Sequence, residues 1–161
     1  RPATVCGYSR RQRLDVVVNI FANFAYHKNH ITIFGGKQLR PNINIIDMVN
    51  SYLLILNADN KKINGEIYNV GYENYSLIQL AEITKKVIGE HVQTTIENSN
   101  DDRSYHINSD KIINDLNFKY KHTIENAIES LNIAFKNKIL LNTFQNEDYF
   151  NIKKMQKIKL V

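Results

Sequence analysis

The sequence predicts an α/β fold in which the end of a sheet joins a small α/β lobe. Three observations carry this. Short β-like runs alternate with stretches whose apolar residues recur every three or four positions, the spacing of a one-faced helix. A double-glycine turn, Gly35-Gly36, separates two of those runs and leads into Lys37, Gln38, Leu39, Arg40 and Pro41. The strand-like runs are short and scattered, which argues against one large sheet.

Each element follows from its local pattern. Residues 1–5 read as a strand stopping at Gly7, and Ser9, Arg10, Arg11, Gln12 and Arg13 as a polar loop that lines a cleft. Over 14–27, Val17, Ile20, Phe21, Phe24 and Ala25 form one apolar helix face. Strands are predicted at 31–34 and 42–46, paired as a hairpin across the glycine turn. The two glycines permit the positive φ that such a turn demands. The turn delivers Arg40 beside a strand, where a guanidinium suits a phosphate or carboxylate through two parallel hydrogen bonds. A solvated arginine on a surface turn is the plain alternative.

Asp47 is the predicted cap of the next helix, with Met48, Tyr52, Leu53, Ile55 and Leu56 as its buried stripe. Residues 57–64 are loop-like, and 66–71 form a strand stopped by Gly71. Ser76 and Gln79 make a capping-box pattern opening a helix with Leu80, Ile83, Val87 and Ile88 on one face, ended by Gly89. An edge strand is expected at 92–96, a polar loop at 98–102 and an extended run at 105–108. Ser109 caps a small helix through Leu116, and Thr123 starts a last helix bearing Ile124, Ala127, Ile128, Leu131, Ile133 and Phe135. Beyond Asn137 the pattern decays into a lysine-rich tail, surface-bound or disordered, so the chain divides into 1–136 and a tail, 137–161.

Composition narrows the function. The 161 residues suit about one domain. No stretch approaches the ~20 apolar residues of a membrane span, and the first residues lack a secretory pattern. The single cysteine, Cys6, excludes an internal disulfide framework and fits a reducing cytoplasm. A net charge of +5 is mild and suits a small anionic ligand. No arginine-rich stripe interleaved with aromatics marks a nucleic-acid surface. The five histidines show no metal-ligand spacing. The opening residues read as the body of a strand without an approach segment, as in a fragment of something larger.

Four segments resemble, in order, the C-terminal half of the extended short-chain dehydrogenase/reductases, the NAD-dependent nucleotide-sugar epimerases, dehydratases and reductases. Residues 1–7 resemble the strand after that family's catalytic helix, with Cys6 where relatives usually carry Tyr. Residues 33–47 resemble its substrate-lobe hairpin, usually I-Y-G-x-G-x-Q-x-R-x-x-x-H-V-x-D, with Asn44 in the histidine position. Residues 66–71 look like its F-N-V-G strand. Asp102-Arg103-Ser104-Tyr105, followed by Asp110-Lys111-Ile112, looks like D-x-R-x-Y…D-x-x-K-I. The resemblance covers residues 1–136 and implies the C-terminal part of an extended Rossmann-type fold, the end of its parallel sheet plus the substrate lobe.

It implies roles residue by residue. Arg40 would contact the nucleotide diphosphate, and Arg103 the diphosphate or ribose unless it pairs with Asp101 or Asp102. Phe34 would stack on the base unless it is core, and Asn69 would bond near the base or ribose unless it is a buried structural amide. Asn19, in a segment similar to the family's D-L-V-V-N helix entry, would donate to a phosphate oxygen. Arg11 and Arg13 would reach the sugar or keep their loop soluble. Cys6 has no histidine placed to activate it as a nucleophile.

The resemblance also implies NAD or NADP, a nucleotide-sugar substrate, a cytoplasmic setting, supply of cell-surface polysaccharide biosynthesis and a homodimer of the full-length protein. The family's dinucleotide-binding glycines and Tyr-x-x-x-Lys pair would lie upstream of this segment. No tyrosine is followed four residues later by a lysine on a helix that the pattern predicts. The chain therefore reads as the substrate-binding portion of an enzyme whose cofactor would take a hydride from the sugar, inactive alone. A non-catalytic sugar-nucleotide-binding module and a basic nucleic-acid-binding protein are the alternatives.

Overall fold

The computed structural model describes residues 1–100 and 103–160. In chain order the elements are β1 (Thr4–Cys6), α1 (Val17–Lys28), β2 (His30–Phe34), β3 (Leu39–Asn44), α2 (Ile45–Leu56), α3 (Asn60–Ile63), β4 (Asn74–Ser76), α4 (Leu77–Ile88), β5 (Gln93–Glu97), α5 (Asp110–Leu116), α6 (Ile124–Lys136), a 3-10 turn (Glu147–Tyr149) and α7 (Asn151–Lys157). The expected α/β class is what forms, with two small sheets. One has the order β1-β3-β4 and the other pairs β2 with β5.

The predicted hairpin does not form. β2 and β3 flank the glycine turn, yet β2 runs parallel to β5, while β3 pairs parallel with β1 and antiparallel with β4. The turn is closed by a side chain. Gln38 accepts from the Gly36 N–H at 2.6 Å and donates to the Phe34 carbonyl at 2.7 Å, leaving no cross-strand ladder to hold β2 against β3. Gly35 and Gly36 have φ of +84° and +125°. A Cβ on Gly36 would come within 2.9 Å of Ile78. Gly36→Ala is expected to cost about 1–3 kcal/mol in urea unfolding, and an unchanged midpoint would remove the turn from the fold's requirements.

The helices follow their patterns where a core receives them. α1, α4 and α6 pack together around Val18, Phe21, Leu80, Ala81, Ile128 and Leu131. Ser76 with Gln79, and Thr123 with Asn126, form reciprocal caps for α4 and α6. Ile133, expected on the buried face of α6, is half exposed. A second cluster places Ala3, Ile43, Met48, Val70 and Ile112 on the other side of the β1–β3 pair. Two parallel strands covered on both faces are the arrangement that parallel ladders require.

Three further expectations are corrected. α2 begins at Ile45, capped by Asn44, whose Oδ1 accepts from the Ile46 N–H at 3.0 Å. Asp47 is wholly buried instead and takes bonds from a distant loop. Of the stripe predicted on α2 only Met48 is fully buried, while Tyr52, Leu53 and Leu56 are exposed beside Ile46 and Val49. Residues 66–71 make no strand ladder beyond one parallel bridge between Val70 and Pro2.

The segment after Asn137 packs back on the body. Leu140 and Thr143 are buried, and α7 follows the helix that the pattern makes the last. Its anchors are hydrogen bonds to the loop before α1, including the Leu14 N–H to the Tyr149 carbonyl at 2.9 Å. Such anchors leave no apolar period in the sequence.

Candidate functional site: an apolar cavity with an arginine at its rim

A cavity of about 610 Å³ opens between α1, β2, β3 and the start of α4. Val17, Ile20, Phe21 and Phe24 of α1 line it together with Ile31, Thr32 and Leu77, while Asp15, Phe34 and Arg40 also border it. The amphipathic spacing of α1 produces this wall: Phe21 turns inward to the core and Phe24, one turn along, stands 39% exposed. Phe34 ends β2 with 54% of its surface exposed, so its ring is available to a ligand rather than packed as core.

Arg40 lies near the start of β3. Its Nη1 donates to its neighbour's carbonyl on Leu39 at 2.9 Å and to the carbonyl of Arg103. The guanidinium carbon also stands 5.5 Å from the centroid of the Tyr105 ring. The Leu39 N–H donates to Ser104 Oγ at 2.9 Å. Residues 103–105 therefore lie along the start of β3, bringing Arg40 and the Arg103 main chain together as their order in the sequence does not foretell. Asp101 and Asp102, the expected alternative partners of Arg103, lie outside the described residues.

Asn69 stands elsewhere. It lines a second cavity of about 390 Å³ with Pro2, Thr4, Pro41, Tyr105 and His106, and donates to the Asn108 carbonyl at 3.4 Å. The two cavities approach each other where the Tyr105 ring meets Arg40.

Asn19 is buried and lines neither cavity. Its Oδ1 accepts from the Gly7 N–H at 3.0 Å and its Nδ2 donates to the Arg13 carbonyl at 2.8 Å. The amide pins the loop after β1 to α1. Arg13 pairs with Asp15 at 2.8 Å, and Arg11 reaches the C-terminal segment. Cys6 is buried and donates to the Ile43 carbonyl, and burial pushes its thiol up to about 12, so it carries no thiolate.

Asp15, Phe21, Phe24 and Tyr105 border these cavities, although the sequence gives none of them a site role. The i, i+3 spacing of the two phenylalanines was the available signal, but core packing explains it equally well. Tyr149 and Lys153 do have the Tyr-x-x-x-Lys spacing. They do not share a helical turn: Phe150 between them is extended at φ −126° and ψ 104°, and Lys153 lies over the Phe150 ring. Among the described residues no group of three or more His, Cys, Asp or Glu side chains is placed to hold a metal, and no helix is long and apolar enough to cross a membrane.

Residues 1–71 match the model of the NAD dependent epimerase/dehydratase family. The chain is also similar to solved structures. UDP-glucose 4-epimerase from Thermotoga maritima aligns over 87% of this chain and 46% of its own, at 22% identity and a TM-score of 0.71. UDP-glucuronic acid 4-epimerase from Bacillus cereus, as a mutant in complex with UDP-4-deoxy-4-fluoro-glucuronic acid and NAD, aligns over 86% and 44%, at 22% identity and a TM-score of 0.73. dTDP-glucose 4,6-dehydratase from Bacillus anthracis, in complex with NAD, aligns over 86% and 44%, at 19% identity and a TM-score of 0.68. The chain thus spans less than half the length of these structures. Residues 1–71 thus resemble the NAD dependent epimerase/dehydratase family, and most of the chain shares its fold with these solved structures.

Proposed function

We propose that this chain is the substrate-binding portion of an NAD- or NADP-dependent nucleotide-sugar epimerase or dehydratase. The observation that carries the reading is the joint placement of Arg40 and Phe34 at the rim of one apolar cavity. In it the cavity takes the base, Phe34 covers a face of the ring, and Arg40 grips the diphosphate. Arg103 supports Arg40 through its carbonyl and is the second candidate for the diphosphate or ribose. Asn69, in the second cavity, serves the sugar side, and Asn19 acts by holding the loop. Holding the nucleotide tightly away from the reacting carbon positions the sugar, which is how remote binding energy serves rate.

Among the described residues no glycine-rich loop leads from a strand directly into a helix to cradle a dinucleotide. Gly7, at the end of β1, is not followed directly by a helix, and a Cβ there would stand 3.4 Å from Ala127, Ile45 and Ser130. Cofactor binding and proton transfer accordingly fall, in this reading, to the half of the fold that the relatives have and this chain does not span. Cytoplasmic sugar-nucleotide metabolism, including supply of cell-surface polysaccharide, and a homodimer of the longer protein complete the proposal.

The test is calorimetric titration of the 161-residue chain with UDP, dTDP, ADP and GDP, and with uridine as the phosphate-free control. Saturable binding of a nucleoside diphosphate and none of the nucleoside is the expected result. Indifference to all four diphosphates sinks the reading. Binding of oligonucleotides that falls steeply with salt would support the basic-protein alternative.

A further inference from the structure

The C-terminal segment contacts two residues that line the cavity. Phe144 meets Phe24 edge to face, with centroids 5.1 Å apart, and Lys28 sits over the same Phe144 ring. At the start of the cavity wall in sequence, the Asn151 N–H donates to Asp15 Oδ2 at 2.8 Å while Arg13 Nε donates to Asp15 Oδ1 at 2.8 Å. Arg11 adds a clamp, with Nη1 to the Asp148 carbonyl at 2.8 Å and Nη2 to Asn151 Oδ1 at 3.0 Å. Phe24 and Asp15 are both cavity-lining residues.

Asp15 is an acid bordering the cavity that also holds Arg40. An uncompensated carboxylate there opposes an anionic ligand, since like charges in a partly desolvated site repel strongly. Both of its oxygens are instead engaged, one by Arg13 and one by Asn151. Burial raises the Asp15 carboxyl, but the bonds from Arg13 and the Asn151 N–H outweigh it and hold the group below the ordinary carboxylate range. The acid is thus ionised, and the Arg13 guanidinium and the Asn151 N–H offset its charge.

We propose that the C-terminal segment is part of the ligand site, with the Asn151 main-chain N–H and the Phe144 ring as positioning groups that hold Asp15 and Phe24 so that the cavity accepts an anionic nucleotide. This rests on the nucleotide reading above. It assigns a binding role to a segment that touches no ligand itself and lies outside the stretch matched to the family.

Asn151→Pro isolates the contact. Asn151 is the first residue of α7 and Phe150 before it is extended, so proline fits there and the helix survives, but the N–H to Asp15 is gone. Asn151→Ala keeps that N–H. With UDP as the probe, Asn151→Pro is expected to raise Kd about tenfold and Asn151→Ala to leave it within about twofold. In an Asp15→Asn background the proline penalty should shrink to within about threefold, because the repelled charge is gone. A structural defect would survive that background. Equal UDP affinity for Asn151→Pro and the parent overturns the proposal. If the parent binds another of the four diphosphates but not UDP, that one replaces UDP as the probe; if it binds none, the nucleotide reading fails separately, and hydrogen exchange over residues 14–24 decides the brace. Faster exchange in Asn151→Pro and Phe144→Ala then supports it, and unchanged exchange overturns it.

Discussion

Asp47→Ala is expected to destabilise the chain by about 3–5 kcal/mol, the cost of breaking a buried, fully hydrogen-bonded charged group. The carboxylate is inaccessible to solvent. Its Oδ2 accepts from the backbone N–H groups of Lys121 at 2.9 Å and His122 at 2.8 Å, and its Oδ1 bonds His122 Nδ1 at 2.8 Å. These bonds tie the first turn of α2 to the residues that enter α6. Alanine leaves the two backbone donors without their acceptor, and each orphaned donor costs about 1–3 kcal/mol. A loss of that size is a large part of the ~5–15 kcal/mol by which a domain is stable. Urea unfolding followed by circular dichroism reads it. Asp47→Asn retains one acceptor and should recover roughly half of the loss. His122→Ala leaves both backbone bonds intact and is expected to cost only about 1 kcal/mol. Should Asp47→Ala unfold within about 1 kcal/mol of the parent, the bonds do not hold α2 to α6 as described.

Arg40→Gln is expected to weaken nucleoside diphosphate binding by about one to two orders of magnitude, the range for losing charge-assisted bonds. Arg40→Lys should fall well short of full rescue, because an ammonium cannot offer the planar fork. The side chain also holds the Arg103 carbonyl, so the thermal midpoint must be measured alongside the affinity. A lower midpoint with unchanged affinity would make Arg40 a strut for residues 103–105. A retained midpoint with lost affinity makes it a ligand contact. Arg103→Gln is expected to do less, since Arg103 does not line the cavity.

The elements that were legible in the sequence are those whose information is local. The caps at Ser76 and Thr123 and the apolar spacing of α1, α4 and α6 each lie within about a dozen residues. The glycine turn was equally visible, and so was the arginine it delivers. Strand partners were not. The sequence places β2 and β3 side by side, while the partner of β2 is β5, whose residues are all exposed and carry no apolar alternation to set register. Asp47 has the composition of a cap and lies one turn's fraction beyond the true one, Asn44; its buried partners come from a loop dozens of residues on. Asn19 was visible as a polar residue on an apolar helix, but only the tertiary structure shows Gly7 and Arg13 converging on its amide. The anchoring of α7 depends on Arg11 and Asp15, residues at the other end of the chain.

The ladders have a kinetic consequence. Thr4 pairs with Asn42, His30 with Gln93 and Leu39 with Ser76, so among the described residues no two paired strands are joined by a tight turn. Each ladder must close a long stretch of chain before its first hydrogen bond forms, and that entropy is lost ahead of any compensating contact. α1, α4 and α6 can consolidate on the microsecond scale of helix formation, leaving strand registration as the slow step, in milliseconds to seconds. During that interval the strand edges stand open to other molecules. Refolding yield should therefore fall as chain concentration rises, even where the native state is soluble.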